Sequence, residues 1–201
     1  LSKLSDKPPR DFSILKQAIN DKRPDVDVVI LAKSMDNRVL YVFHMFRQMY
    51  HLATSKVVFL DRSCLAVHVL THKPELRVVQ MWHAVGSMKK FGYANLDTPE
   101  GQPHELARLM SMHKKYTDIL ISSDEFIRDF IEGFNILPSD ARQIVSEIPL
   151  PRCDVLTDKD RVEKIKTDLF KKHPRLNNGK TNILYCPTYR KTNPSEDVSK
   201  K

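Results

Sequence analysis

The feature that most constrains the fold is a series of short, β-branched apolar runs, each bounded by polar or turn-forming residues. They read VDVVILA (26–32), KVVFLD (56–61), LRVVQMWH (76–83), DILISS (118–123) and RQIVSEI (142–148), with TNILYCPTYR (181–190) as the last. Runs of this length are too short for core helices and too continuously apolar for strands with one wet face. They predict strands buried on both faces, which occur in parallel sheets covered by helices. The segments between them have the length and period of those helices. Asp36 and Asn37 are candidate caps for a helix whose apolar face would be Val39, Phe43, Phe46, Tyr50 and Ala53. SCLAVHVLTH, HELARLMSMHKKY (104–116), DEFIRDFIEGF and a basic stretch over 157–172 read as helices in turn. The predicted class is α/β, a Rossmann-like doubly wound parallel sheet.

In such a sheet ligands gather at the carboxyl ends of the strands, where loops and helix starts meet. That rule selects His83 and the loop after it, Ser122 to Asp124, the segment from Pro149 to Asp154, and the segment from Pro187 to Arg190. The loop after LRVVQMWH places the single tryptophan beside His83, then Gly86, then the adjacent pair Lys89 and Lys90. Trp82 by itself reads as core packing.

Several classes are disfavoured by what the chain lacks. It has no glycine-rich dinucleotide or phosphate-loop fingerprint, no H-E-x-x-H, no G-x-S-x-G and no paired C-x-x-C. His68 and His72 stand four apart on a predicted helix, but no third metal ligand accompanies them. Three widely spaced cysteines fit reduced thiols better than a disulfide framework. No apolar run approaches the length of a membrane-spanning helix. The chain starts at Leu1 without a methionine, and is expected to be a segment of a longer protein. The formal charge of +8 is concentrated at one end: 159–201 hold twelve Lys/Arg against five Asp/Glu, whereas 1–158 hold 21 against 20. A basic end suits an anionic partner. Nucleic acid is disfavoured as that partner, since no recognition helix or aromatic-basic motif accompanies the charge.

The loop QMWHAVGSMKKFG (80–92) resembles the W-H-G-x-x-x-K-K motif of the CDP-glycerol glycerophosphotransferases, the teichoic acid primases and polymerases. Two further segments follow in that family's order. PLPRCDVL (149–156) resembles G-x-P-R-x-D-x-L, and ILYCPTYR (183–190) resembles I-L-Y-x-P-T-[FWY]-R; SMDNRVLYVF (34–43) is a weaker match to S-D-N-P-x-x-[IL]-Y. The chain departs from the pattern at Ala84, where glycine is usual, at Gly86, near the usual proline, at Leu150, and at Cys153, where asparagine is common.

The resemblance implies two Rossmann-type domains in a glycosyltransferase-B-like architecture, with the active site in the cleft between them. Residues 1–175 would be the acceptor-side domain, and 176–201 the first strand and tail of a truncated domain that binds the CDP-alditol. The implied reaction transfers a polyol phosphate, glycerol phosphate foremost, from a CDP-alditol to a hydroxyl of a lipid-linked or polymeric acceptor, with CMP released. In that reaction His83 would be the catalytic base, and Lys89, Lys90, Arg152 and Arg190 would hold phosphate charge. Gly86 would let the backbone approach a phosphate, and Asp154 would stand behind these residues. No metal and no cofactor beyond the CDP-glycerol-type donor is expected. Peripheral attachment to an anionic membrane surface at the cytoplasmic face follows from a lipid-linked acceptor. A reading from another class is a non-catalytic Rossmann-like module that holds an anion at the basic rim.

Overall fold

The computed structural model describes residues 1–3, 5–34 and 37–186. Four parallel strands are β1 Val57–Leu60, β2 Arg77–Gln80, β3 Asp118–Leu120 and β4 Ile144–Val145, hydrogen-bonded in that order. Val58 pairs with Val78, and Ile119 with Ile144. Helices α1 Arg10–Lys22, α2 Arg38–Thr54, α3 Leu65–Val69, α4 His104–Leu109, α5 Ile127–Phe134 and α6 Lys159–Lys172 accompany them. The core lies where the strands meet α3 and α5: Leu60, Val67, Val78, Ile119, Phe130 and Phe134 are almost wholly buried. Burial on both faces is fullest in β2, where Val78, Val79 and Gln80 are buried in succession, whereas β1 buries Val58 and Leu60 and leaves Val57 exposed.

The sheet continues beyond β1. The Leu1 backbone nitrogen donates to the Phe59 carbonyl at 2.6 Å. Ser2 forms a parallel bridge to Ala32, with Ser2 N donating to Leu31 O at 2.9 Å and Lys33 N to Ser2 O at 3.2 Å. The lateral order is therefore 31–33, 1–3, β1, β2, β3, β4. The chain first steps outward in one direction and then in the other, the doubly wound pattern, and the reversal falls beside β1. The run 26–32 contributes only the Ala32 bridge, not a full strand. Val26 and Val29 are exposed.

Three further expectations are corrected. The helix expected over 104–116 stops at Leu109, because Ser111, His113 and Lys115 adopt positive φ. Those turns bring His113 inward, where its Nδ1 pairs with the Tyr116 hydroxyl at 3.0 Å and its ring stacks on Phe134; tertiary packing overrides helix propensity here. The strand expected at 181–190 is absent over 181–186, where Ile183, Leu184 and Tyr185 are exposed and pair with no neighbour, and 187–190 lie outside the described residues. Helix α2 begins as expected, with Leu40 N donating to the Asn37 side chain at 3.1 Å, but it is turned over. Phe43 and Phe46 are 67% and 62% exposed, whereas Gln48 and Leu52 are buried.

The chain divides into two compact units, Leu1–Asp154 and the residues from Val155 onward. The second contains α6, capped by the Asp158 side chain accepting from Arg161 N at 3.0 Å.

His68 is held in the core by two contacts: Nε2 accepts from Cys64 N at 3.1 Å, and Nδ1 donates to the Lys114 carbonyl at 3.1 Å. His72 donates Nε2–H to the Val67 carbonyl at 2.6 Å. Both nitrogens of His68 are thus committed, so the pair is structural and not a metal site. Burial lowers the pKa of His68 to about 4 and of His113 to about 3. The unfolded chain takes up protons on these groups below the ordinary value of about 6.5, while the folded chain resists until it reaches the lowered ones. Stability is therefore expected to be full above pH ~6.5 and to fall steadily toward pH ~4, by several kcal/mol in all. Urea midpoints measured across that interval check this; a midpoint unchanged between neutral pH and pH ~5 would contradict it.

Candidate active site

The site is built on the carboxyl ends of β1 and β2. Gln80, the last residue of β2, is fully buried; its side-chain oxygen accepts from Trp82 N at 2.9 Å and its amide nitrogen donates to Arg62 O at 3.4 Å. One glutamine thus fastens the loops that leave the two strands. Trp82 adopts φ 64°, a left-handed conformation that costs a bulky residue of order 1–3 kcal/mol. Its ring packs against Phe91 at 4.5 Å and against Phe130 and Phe134 at 5.5 Å, which offsets that cost and confirms the core reading of this tryptophan.

The turn at Trp82 aims His83 back toward β1, where its Nδ1 lies 3.0 Å from the Asp61 carbonyl. A carbonyl oxygen only accepts, so Nδ1 carries the proton and Nε2 keeps the lone pair. Burial, and next the Arg62 guanidinium, lower the His83 pKa; the Asp61 contacts oppose them, and Arg152 adds to the lowering. The imidazole is therefore neutral near neutral pH, with Nε2 basic. Around it sit further polar groups, of which Asp61 and Arg62 were not singled out from the sequence. The Asp61 carboxylate accepts from Ser2 Oγ at 2.7 Å. Asp61 Oδ1, Arg62 Nε and Ser122 Oγ are buried without a protein partner among the described residues, and all three lie just past the carboxyl ends of β1 and β3. The signal for Asp61 and Arg62 was present: Asp61 ends the run KVVFLD and Arg62 follows it, as His83 ends the next run.

Gly86 has a structural reason to be glycine. Its φ is 71°, and a Cβ there would lie 2.3 Å from the Phe126 ring, so the close approach is to a side chain. Lys89 and Lys90 are exposed and line a cleft of about 230 Å³ with Ser87, Met88 and Phe91, opposite Asp129 and Glu132 of α5.

Arg152 ties its segment to α1. Its Nε donates to Asp11 Oδ2 at 2.7 Å, its Nη2 donates to the same oxygen, and its backbone N donates to Asp11 Oδ1 at 2.9 Å. Asp11, in the first turn of α1, is buried. The guanidinium fork is thus turned toward a carboxylate 141 residues away, though its charge still reaches His83. Asp154 lies in the short 3₁₀ segment Pro151–Leu156 that carries Arg152; the carboxylate on the Arg152 fork is that of Asp11. Arg190 lies outside the described residues.

The family model described as CDP-glycerol:poly(glycerophosphate) glycerophosphotransferase matches residues 2–201. A teichoic acid ribitol-phosphate primase of Bacillus spizizenii is 29% identical over 171 residues, covering 83% of this chain and 43% of its own length. A teichoic acid glycerol-phosphate primase of Bacillus subtilis is 26% identical over 179 residues, covering 88% and 42%. The chain thus spans less than half the length of these relatives. Among solved structures, the wall teichoic acid polymerase TagF superposes with a TM-score of 0.55 at 16% identity, over 86% of this chain and 42% of that one. That likeness establishes a shared α/β fold.

Proposed function

The chain belongs to the CDP-glycerol:poly(glycerophosphate) glycerophosphotransferase family, and from that membership we propose that it forms the acceptor-side part of an enzyme moving a polyol phosphate from a CDP-alditol to an acceptor hydroxyl in teichoic acid synthesis. The observation that carries the reading is the 3.0 Å contact of His83 Nδ1 to the Asp61 carbonyl. It leaves Nε2 as a proton acceptor on a neutral imidazole, the state a general base needs. Nε2 takes the proton of the acceptor hydroxyl as its oxygen attacks the phosphorus that bears the polyol. The bond from that phosphorus to the CMP oxygen breaks, and CMP leaves with the electron pair. The proton on Nε2 then passes to solvent.

Charge at the reacting phosphate is offset by cations of the rim. Lys89 and Lys90 supply it from the exposed loop edge, as point charges rather than forks. Arg62, whose Nε lies buried next to the His83 loop, adds to this field. Arg190 is assigned the same role by its motif alone. Asp154 is read as support for the Arg152 segment. We read residues 176–201 as the beginning of the nucleotide-binding part, and the donor as CDP-glycerol or CDP-ribitol; relatives of both kinds match the chain with similar identity.

The chain by itself is expected to fold without turning over, because the match covers less than half the length of its relatives. Incubating it with each CDP-alditol and a primed acceptor while following CMP release checks this. Steady CMP release by the isolated chain would overturn the division of labour.

A further inference from the structure

Lys89 and Lys90 share their cleft of about 230 Å³ with Asp129 and Glu132 of α5, and the proposed reaction uses only the lysines. The spacing of the two walls is set by the backbone. Gly92 has φ 56°, and a Cβ there would run into the Gly133 carbonyl oxygen; a Cβ on Gly133 would run into the Phe91 ring. The two glycines let the loop that carries the lysines lie directly against the helix that carries the carboxylates. Phe130 and Phe134 anchor that helix in the core, and Asp129 and Glu132, three apart, fall on one side of it. On the other wall, Ser87 Oγ donates to the Lys89 carbonyl at 3.1 Å and holds the turn.

The walls are opposite in charge but do not neutralise each other. Glu132 meets Arg128 of its own helix at 3.1 Å, and no ion pair among the described residues joins either lysine to Asp129 or Glu132. Two cations therefore face the Asp129 carboxylate and the second oxygen of Glu132. A lysine only donates hydrogen bonds, and an ionised carboxylate only accepts them. A ligand that satisfies both walls has an anionic group at one end and donors, hydroxyl or ammonium, at the other. The excess of positive charge favours neutral donors, so hydroxyls suit the cleft better than an ammonium. Its volume is below the roughly 300–1,000 Å³ of pockets for drug-sized ligands, the scale of a phosphate with a few hydroxylated carbons. The base is close by: the Trp82 ring lies 4.3 Å from the His83 ring and 4.5 Å from Phe91, which lines the cleft.

We propose that this cleft reads the transferred polyol: Lys89 and Lys90 hold the phosphate that bears it, and Asp129, with the second oxygen of Glu132, accepts hydrogen bonds from its hydroxyls. This rests on the proposed reaction and extends it to the residues that choose the polyol. Neither carboxylate was marked by a motif, since DEFIRDFIEGF reads in the sequence only as a helix.

The experiment measures equilibrium binding of donors, without acceptor, to the enzyme that carries this chain. The donors are CDP-glycerol, CDP-ribitol, and the CDP esters of propanol and pentanol, which lack the remaining hydroxyls of the polyol. In the wild type the better bound CDP-alditol is expected to bind about tenfold more tightly than its alkyl counterpart, the usual worth of a hydrogen bond to a charged group. Asp129→Ala is expected to lose most of that preference while binding the alkyl ester as the wild type does. Asp129→Asn should keep part of it, because an amide oxygen accepts a hydroxyl without charge. Lys89→Ala should weaken polyol and alkyl donors together and leave their ratio unchanged. A wild type without the preference, or an Asp129→Ala that keeps it, would overturn the proposal. A lower urea midpoint with the ratio intact would do the same, leaving Asp129 as a favourable charge in the first turn of α5. CDP-ethanolamine bound more tightly than either alditol, with the advantage lost in Asp129→Ala, would make the cleft a site for a zwitterion instead. Binding of neither CDP-alditol by the wild type would remove the reaction itself, whereas an unchanged preference in Asp129→Ala removes only the reading of the polyol.

Discussion

Replacing His83 by alanine in the enzyme that carries this chain is expected to lower turnover by about 10²–10⁴, the usual worth of a positioned base, with donor affinity nearly unchanged. The reason is local. Nε2 is the nitrogen left with a lone pair once Nδ1 donates to the Asp61 carbonyl, and no other described histidine lies just past the carboxyl end of a strand of the sheet. The pH profile should carry the same signature. Burial and Arg62 hold the His83 pKa below its ordinary value, so the base stays deprotonated down to pH values below ~6.5, and the acidic limb should fall there and vanish in His83→Ala. Lys89→Ala and Lys90→Ala should behave differently. A charge that grips phosphate in ground and transition states alike raises the Michaelis constant about as much as it lowers turnover. Wild-type turnover by a well-folded His83→Ala at saturating donor and acceptor would make the histidine structural, with its Asp61 contact serving only to pin the loop.

Arg152→Ala is expected to destabilise the fold by about 3 kcal/mol, because it leaves the buried Asp11 carboxylate without its cation. That is the low end of the range for a broken buried pair, since the guanidinium is 45% exposed and solvent already weakens its charge. Asp11→Ala should cost less, as the arginine can turn to water. The double variant should then be more stable than the sum of the two losses, a coupling that a chemical-denaturation cycle measures directly. Additive losses would remove the ion pair as the reason. An Arg152→Ala protein of unchanged stability but raised donor Michaelis constant would restore the phosphate-binding role that the PLPRCD segment suggests from sequence. The distinction matters because an arginine in a family motif is readily taken for a substrate ligand, when here the fork is occupied by the first turn of α1.

How much was legible in the sequence varies with the range of the interaction involved. The strands β1, β2 and β3 were legible because two-sided burial leaves a local mark, an apolar run of Val, Ile and Leu that no neighbouring segment shares. The place of His83 was legible for a topological reason: a residue that ends such a run must lie at the carboxyl rim of a parallel sheet. Asn37 was legible as a cap because its hydrogen bond closes over three residues. The 104–116 helix was misread because His113 obeys Phe134 and Tyr116 rather than its own neighbours.

The sequence by itself determined the class of the fold, the order of its strands along the chain, and that His83 and its loop lie at the carboxyl rim, since each of these follows from local composition and from the geometry common to parallel sheets. Only the tertiary structure decided which nitrogen of His83 is free, that Arg152 answers to Asp11, that Gly86 makes room for Phe126, and that α2 turns its aromatic residues outward. Each of those depends on a partner tens of residues or more away in the chain. Period and propensity describe what a segment can bury or donate; they do not say which distant group arrives to meet it.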